Sequence, residues 1–176
     1  MSNILVVLGS ARTGRVAEKV ASYVLKDIET REGVTATVAD LKELNLPFFD
    51  NEISPASSDY GPINPQVIAW SAMVKSADSV LFVTPEYNHS LSAIEKNAID
   101  SLYVEWNNKP VISVNYGWDG GTLSAEAFRG IMTHIKADLK HDIAHLVFMK
   151  DITPDGSILD EAHVASEIST AIDEVV

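Results

Sequence analysis

Short apolar runs alternate with helix-like stretches along the whole chain, and this alternation limits the folds that it can adopt. Residues 4–8 contain only Ile, Leu and Val, as expected of a strand buried on both faces. Further strands are predicted at residues 34–39 (nearer the sheet edge), 79–84, 110–115 and 143–149, and helices at residues 16–28, 66–77, 91–102, 122–138 and 160–173. Five strands alternating with helices predict an α/β fold, a parallel sheet covered by helices on both faces.

Length and charge narrow the functional classes. The 176 residues suit a single domain spanning 1–176. The net charge of −12 comes from 25 acidic and 13 basic residues without a basic cluster, so a nucleic-acid partner is not expected. The sequence lacks cysteine, a signal peptide and an apolar stretch near 18 residues, so we expect a cytoplasmic protein without a membrane partner.

The loop after the first strand has the chemistry of a phosphate site. In open α/β sheets, ligands bind beyond the carboxyl ends of the strands. Residues 9–15 (Gly-Ser-Ala-Arg-Thr-Gly-Arg) combine glycines, hydroxyls and two arginines before a helix N-terminus, which favours an anion. The alternative is an ordinary turn with solvated arginines. Arg15 and Val16 stand where a nucleotide P-loop has Lys and Ser/Thr, so a single phosphate is the better ligand.

Two more loops follow predicted strands. Residues 84–89 (Thr-Pro-Glu-Tyr-Asn-His) contain turn residues that can point successive amides outward, and Tyr87 can stack on a planar heterocycle. Residues 115–121 (Asn-Tyr-Gly-Trp-Asp-Gly-Gly) contain three glycines that permit close approach of a ligand. The alternative for residues 84–89 is a plain strand-to-helix turn, and the alternative for residues 115–121 is a mobile turn.

Other features carry less chemistry. Residues 45–65 form a long connection that predicts either an active-site cover or a surface excursion. His141 and His145 lie four residues apart without the helical Glu of a zinc hydrolase, so no metal is expected. No Gly-x-Ser-x-Gly elbow supports serine hydrolysis. Trp70, Trp106 and Tyr103 are expected in the core or at an interface.

These segments together resemble the NADPH-dependent FMN reductase family of flavodoxin-like folds. The resemblance spans about residues 3–150 and is carried by Gly-Ser-x-Arg-x-Gly at 9–14, Pro-Glu-Tyr-Asn at 85–88, Glu-Lys-Asn-Ala-Ile-Asp at 95–100, and the Gly-Gly turn before Arg129. It implies a three-layer flavodoxin-like sandwich with five parallel strands in the order 2-1-3-4-5, and bound FMN.

The resemblance also implies a set of cofactor-binding residues. Ser10, Arg12 and the amides up to Val16 would hold the FMN phosphate. The backbone of Pro85, Glu86, Tyr87 and Asn88 would meet the pyrimidine edge of the flavin, and Tyr116, Gly117, Gly120 and Gly121 would lie near the ring. Many members have Ser followed by an aromatic residue and Asn where this chain has Arg15-Val16-Ala17, and Arg15 would compensate for the missing hydroxyl.

The implied activity is hydride transfer from NADPH or NADH to FMN and then to a small acceptor: a quinone, an azo or nitro compound, free flavin, a metal oxyanion or oxygen. Because the flavin supplies the chemistry, no acid or base residue is predicted. The alternatives are a flavodoxin-like electron carrier and a non-catalytic flavin-binding protein. The resemblance also implies a homodimer or homotetramer whose contacts lie near residues 91–103, anchored by Tyr103 and Trp106. Glu95, in the same region, replaces a Leu that is common in the family.

Overall fold

The computed structural model describes residues 1–140 and 144–176. The strands are β1 (Ser2–Leu8), β2 (Val34–Asp40), β3 (Ser79–Pro85), β4 (Pro110–Gly117), β5 (Asp138–Leu139) and β6 (Ala144–Val147). The helices are α1 (Ala17–Glu29), α2 (Leu41–Leu44), α3 (Pro65–Ser76), α4 (Ala93–Asp100), α5 (Thr122–His134) and α6 (Glu161–Asp173), with a 3₁₀ turn at Val104–Trp106. The predicted alternation of strands and helices is confirmed.

The sheet is parallel in the order β2-β1-β3-β4-β5, and β6 also pairs with β4. The predicted order 2-1-3-4-5 is therefore confirmed. Leu8 lies opposite both Asp40 and Val83, and Pro85 lies opposite Tyr116. This register brings the carboxyl ends of β1, β2, β3 and β4 to one edge of the sheet.

The fifth sheet position differs from the single predicted strand. β5 pairs with the start of β4 and β6 with its end. The predicted strand at 143–149 corresponds to Ala144–Val147, while Ile143 lies outside the described residues. The helix predicted to reach residue 138 ends at His134 because Lys136 adopts a left-handed φ of +62°, which frees Asp138 to pair with β4.

Two apolar layers enclose the sheet. α1 and α6 pack on one face, and α3, α4, α5 and the 3₁₀ turn pack on the other. Trp106 is fully buried 6.0 Å from the rings of Trp70 and Phe82, so its prediction as an interface anchor is wrong. Within 1–140 and 144–176, every helix is too short or too polar to cross a bilayer.

Candidate functional site

A cavity of about 350 Å³ opens at the sheet edge where β1, β3 and β4 end. Nine of the twelve candidate residues line it: Ser10, Arg12, Arg15, Val16, Pro85, Glu86, Tyr87, Tyr116 and Gly117. Asn88, Gly120 and Gly121 are not among its lining residues. The fold thus brings all three candidate loops to a single cavity.

The phosphate loop, residues 9–16, presents unused donors to this cavity. Among the described residues, the amides of residues 13–16 have no acceptor, and the exposed Arg12 side chain makes no ion pair. Ser10 is buried, with its Oγ 2.7 Å from the hydroxyl of Tyr87. α1 begins directly after the loop, so its positive end adds to these donors. Free amides and an uncommitted guanidinium fit one phosphate group.

Arg15 differs from its predicted role because its guanidinium is already bound within the protein. Nη1 donates to Ser10 O and to Asp40 Oδ1, both at 2.7 Å, and Nη2 donates to the second Asp40 oxygen. Nε and Nη2 donate to Glu18 at 3.0 and 2.8 Å. These bonds use all five N–H donors of an arginine. Arg15 therefore lines the cavity without a free donor for a ligand.

The loop 85–88 also differs from the predicted row of outward amides. Glu86 N–H donates to Tyr116 O at 3.2 Å, and Tyr87 N–H donates to Ser90 O at 3.0 Å. Proline lacks an amide hydrogen. Of these four residues, only Asn88 has an amide without an acceptor in the described part of the chain. The sheet and the tight Tyr87–Ser90 turn consume the other donors.

Two side chains of this loop have structural roles. The Glu86 carboxylate accepts from Leu123 N–H at 3.0 Å and Ser124 N–H at 3.3 Å, and so caps α5. Asn88 and His89 adopt left-handed φ values of +50° and +64°. Asparagine tolerates this conformation better than most residues. The turn geometry predicted for Asn88 is thus present.

The glycines of the third loop serve packing as well as access. Gly117 lines the cavity beside Tyr116, whereas Gly120 and Gly121 turn the chain into α5 with φ values of +67° and +72°. A Cβ on Gly121 would lie 2.9 Å from Asn115 Cβ.

Burial raises the pKa of Tyr116, so its phenol stays protonated.

Three lining residues were missed, Trp118, Phe148 and Pro154, whereas Gly14 lies within the predicted row of amides up to Val16. Trp118 is 67% exposed, and its ring lies edge-on to Phe148 at 5.6 Å. Phe148 directly follows β6, and its position at the carboxyl end of the fifth strand was the signal available in the sequence. Pro154 carried no comparable signal.

Glu95 differs most from its expected place. It lies in α4, but its side chain is fully buried against the phosphate loop rather than turned to a contact surface. Its Oε1 accepts from Thr84 Oγ1 at 2.7 Å. Burial raises the pKa of Glu95 to about 8, while the Thr84 hydrogen bond acts in the opposite direction. The acid is therefore largely neutral at pH 7.

Residues 45–65 pack against α4 rather than over the cavity of their own chain. Asn97 accepts from Phe49 N–H and donates to Pro47 O, both at 2.9 Å, and Tyr60 donates to Ser101 O at 2.7 Å. A separate space of about 450 Å³ lies beneath this segment.

The histidine pair is only partly described. His141 lies outside the described residues. His145 places its Nδ1 2.9 Å from Gly120 O, so it contacts the third loop. No metal-binding cluster is found in residues 1–140 and 144–176.

Comparison with known proteins agrees with this geometry. The profile of the NADPH-dependent FMN reductase family matches residues 2–144. NAD(P)H-dependent FMN reductase LOT6 of Saccharomyces cerevisiae is 32% identical over 89% of this chain and 90% of its own. An FMN-dependent NADPH-azoreductase of Staphylococcus haemolyticus is 30% identical over 69% of this chain and 63% of its own.

A solved structure supports the fold. The flavoenzyme NAD(P)H:(acceptor) oxidoreductase FerB of Paracoccus denitrificans superposes with a TM-score of 0.78, covering 99% of this chain and 97% of its own at 21% identity. The family match over most of the chain, the sheet order and the open phosphate loop agree with one another. The chain therefore belongs to the NADPH-dependent FMN reductase family.

Proposed function

We propose that this chain binds FMN in the cavity at the sheet edge and uses it to pass hydride from NADPH or NADH to a small acceptor. Family membership supports the oxidoreductase class, the FMN cofactor and the pyridine-nucleotide donor. The observation that carries the proposal for this site is the phosphate loop, which offers free amides and an uncommitted Arg12 beside an aromatic-lined cavity.

Different residues of the chain would bind the phosphate and the ring of FMN. Arg12, Ser10 and the amides of residues 13–16 hold the phosphate, while Arg15 fixes the loop through Asp40 and Glu18. Tyr116 and Gly117 flank the ring, and Asn88 supplies the free amide of its loop. FMN, when bound, would supply the hydride chemistry between the pyridine nucleotide and the acceptor. The residues that line the cavity would orient the ring and exclude water from it.

Relatives suggest the class of acceptor. One relative is an FMN-dependent NADPH-azoreductase, and another is named a probable NADPH:quinone oxidoreductase. Quinones and azo compounds are planar and conjugated, which suits a cavity bordered by Tyr116, Trp118 and Phe148. We infer that planar quinones and azo compounds are the preferred acceptors.

The activity test uses the colour of the flavin. The purified protein should carry FMN and be yellow, and anaerobic NADPH should bleach it within seconds. Adding a quinone should restore the colour as the hydride passes on. A yellow protein that stays oxidised with both NADPH and NADH would indicate an electron carrier instead, and a colourless protein that binds no added FMN would refute the site.

The loop that meets the flavin edge gives a second prediction. Asn88→Val should weaken FMN binding on the order of tenfold, because a β-branched residue resists the left-handed φ that Asn88 adopts. Glu86→Gln should change affinity by less than about threefold, because the amide oxygen can still accept from Leu123 N–H. Fluorescence titration, with thermal melts to confirm folding, makes the comparison. A larger loss for Glu86→Gln would show that its carboxylate contacts the flavin.

We also propose that the protein is a cytoplasmic homodimer or homotetramer of one domain per chain. The contact would use Tyr103 near α4, with the exposed apolar residues Phe48, Ile63 and Val104. The segment 45–65 would cover the flavin of a neighbouring subunit. Light scattering should give a mass of at least two chains, and Ile63→Asp should shift it towards one. A stable FMN-bound monomer of the unaltered protein would contradict this assembly.

A further inference from the structure

Glu95 is a carboxyl group sealed directly beneath the phosphate loop. Its side chain is fully buried, and its Oε2 has no hydrogen-bond partner in the part of the chain that the structure describes. A Cβ on Gly9 would lie 2.4 Å from that oxygen and 2.9 Å from Glu95 Cδ. The carboxyl group therefore packs against the backbone of Gly9, one residue before Ser10.

The first turn of α4 is also bonded to the same backbone. Ser92 Oγ donates to Gly9 O at 2.5 Å and accepts from Glu95 N–H at 3.2 Å. Ser92, the N-cap of α4, thus connects this helix to the phosphate loop. Any change in the charge of Glu95 therefore takes place directly against the loop whose amides would bind the ligand.

The charges around Glu95 do not neutralise a carboxylate. From the phosphate loop, Arg15 is already paired with Asp40 and Glu18, and Arg12 is exposed towards the cavity. Tyr87 faces the same region from the loop after β3, and Tyr116 faces it from β4. On α4 itself, Lys96 pairs with Asp100 at 2.5 Å on the exposed face.

Segment 45–65, which packs against α4, adds only the acidic residues Asp50, Glu52 and Asp59. Lys42 and Glu43 carry opposite charges on the exposed face of α2, which contacts α4. Within the described ranges, no cation lies within ion-pair distance of Glu95 (4 Å or less). An ionised Glu95 would therefore add an unbalanced negative charge next to a bound phosphate.

We propose that Glu95 belongs to the flavin phosphate site as a neutral acid, and that phosphate binding and a proton on Glu95 stabilise each other. This inference rests on the FMN site proposed above. A like charge beneath the loop repels the phosphate, so ionised Glu95 lowers FMN affinity. By linkage, bound FMN raises the affinity of Glu95 for its proton, which the solvent supplies. The Glu95 pKa of about 8 in the free protein places the transition within an accessible pH range.

The first test is FMN affinity against pH. The dissociation constant of FMN should rise about tenfold between pH 7 and 9.5 as Glu95 ionises. The second phosphate ionisation has a pKa near 6, so it is complete below this range. Riboflavin lacks the phosphate, and its affinity should stay flat. Glu95→Gln should make the FMN profile flat, whereas Glu29→Gln, at the exposed far end of α1, should retain the slope.

The second test needs no variant. Calorimetry of FMN binding near pH 8.5, in buffers of different ionisation enthalpy, should show uptake of a fraction of a proton by the unaltered protein. Riboflavin should show none. A flat FMN profile without proton uptake would overturn the role of Glu95 while leaving the FMN site intact, as would an unchanged slope in a folded Glu95→Gln protein. Failure of the unaltered protein to bind FMN at any pH would instead overturn the proposed function.

Discussion

Replacing Arg12 with alanine should weaken FMN binding about ten- to hundredfold while leaving riboflavin binding almost unchanged. A charge-assisted hydrogen bond contributes roughly 1.5–3 kcal/mol, and only FMN presents the phosphate. The prediction is specific to Arg12 because its side chain is exposed at the cavity without an ion-pair partner among the described residues, whereas Arg15 is fully engaged. Fluorescence-quenching titrations with both flavins measure the two affinities.

The control for this variant is Lys26→Ala. Lys26 is an exposed cation in the last turn of α1, at the opposite end from the phosphate loop. Lys26→Ala removes one positive charge, as Arg12→Ala does, but should leave FMN affinity within about twofold, since distant exposed charges are screened. Equal losses for FMN and riboflavin in Arg12→Ala would show that Arg12 contacts the ring or supports the fold instead.

Replacing Asp40 with alanine should destabilise the protein by about 3 kcal/mol, because it leaves the buried charge of Arg15 without its main partner. For a chain of this size, that loss lowers Tm by about 6–12 °C. The phosphate loop should also become more mobile, because Arg15 would no longer hold it to Asp40. FMN and riboflavin should therefore both bind more weakly. Thermal melts and urea unfolding at pH 7 measure the change.

The matched control is Asp155→Ala. Asp155 pairs with Lys19 at 2.9 Å, but its side chain is 69% exposed. Solvent and salt screen an exposed ion pair, so this variant should melt within about 3 °C of the unaltered protein. A loss as small for Asp40→Ala would show that Arg15 is stabilised without the pair.

The Asp40 pair should also make stability depend on acid. Burial by itself would raise the pKa of Asp40, but hydrogen bonds from Arg15 and from the Lys42 amide outweigh it, and the pKa lies below its usual value. A carboxyl group whose pKa is lowered by folding stabilises the protein at pH values above its pKa in the unfolded chain, which is near 4. This stabilisation is lost as the pH falls through the pKa of the folded protein. The stability gap between the unaltered protein and Asp40→Ala should therefore narrow below pH 4. If the stability difference stayed constant, the loss in Asp40→Ala would come from the N-cap of α2, in which Asp40 accepts from the Lys42 amide.

The sequence predicted the architecture well because the signals for it are local. Continuous apolar runs mark strands buried on both faces, as in β1 and β3. The exposed pattern of β2 matches its edge position. Ser92, three residues before Glu95, has the residue type and spacing of a capping box, and it is the N-cap of α4. The break after His134 was missed because Lys136 adopts a left-handed conformation usually taken by glycine or asparagine.

The sequence by itself was enough to predict a phosphate-binding loop after β1 and the meeting of three loops at the carboxyl ends of the strands. Only the tertiary structure decided which arginine remains free. Arg12 and Arg15 share one loop, but the register that places Asp40 opposite Leu8 brings a carboxylate to Arg15 alone. Likewise, the sequence alone suggests that Glu95 is an exposed charge on a helix, whereas in the folded protein it is buried against Gly9. Ion pairing and burial depend on partners far away in sequence, and therefore residue type and spacing could name the candidates without assigning their roles.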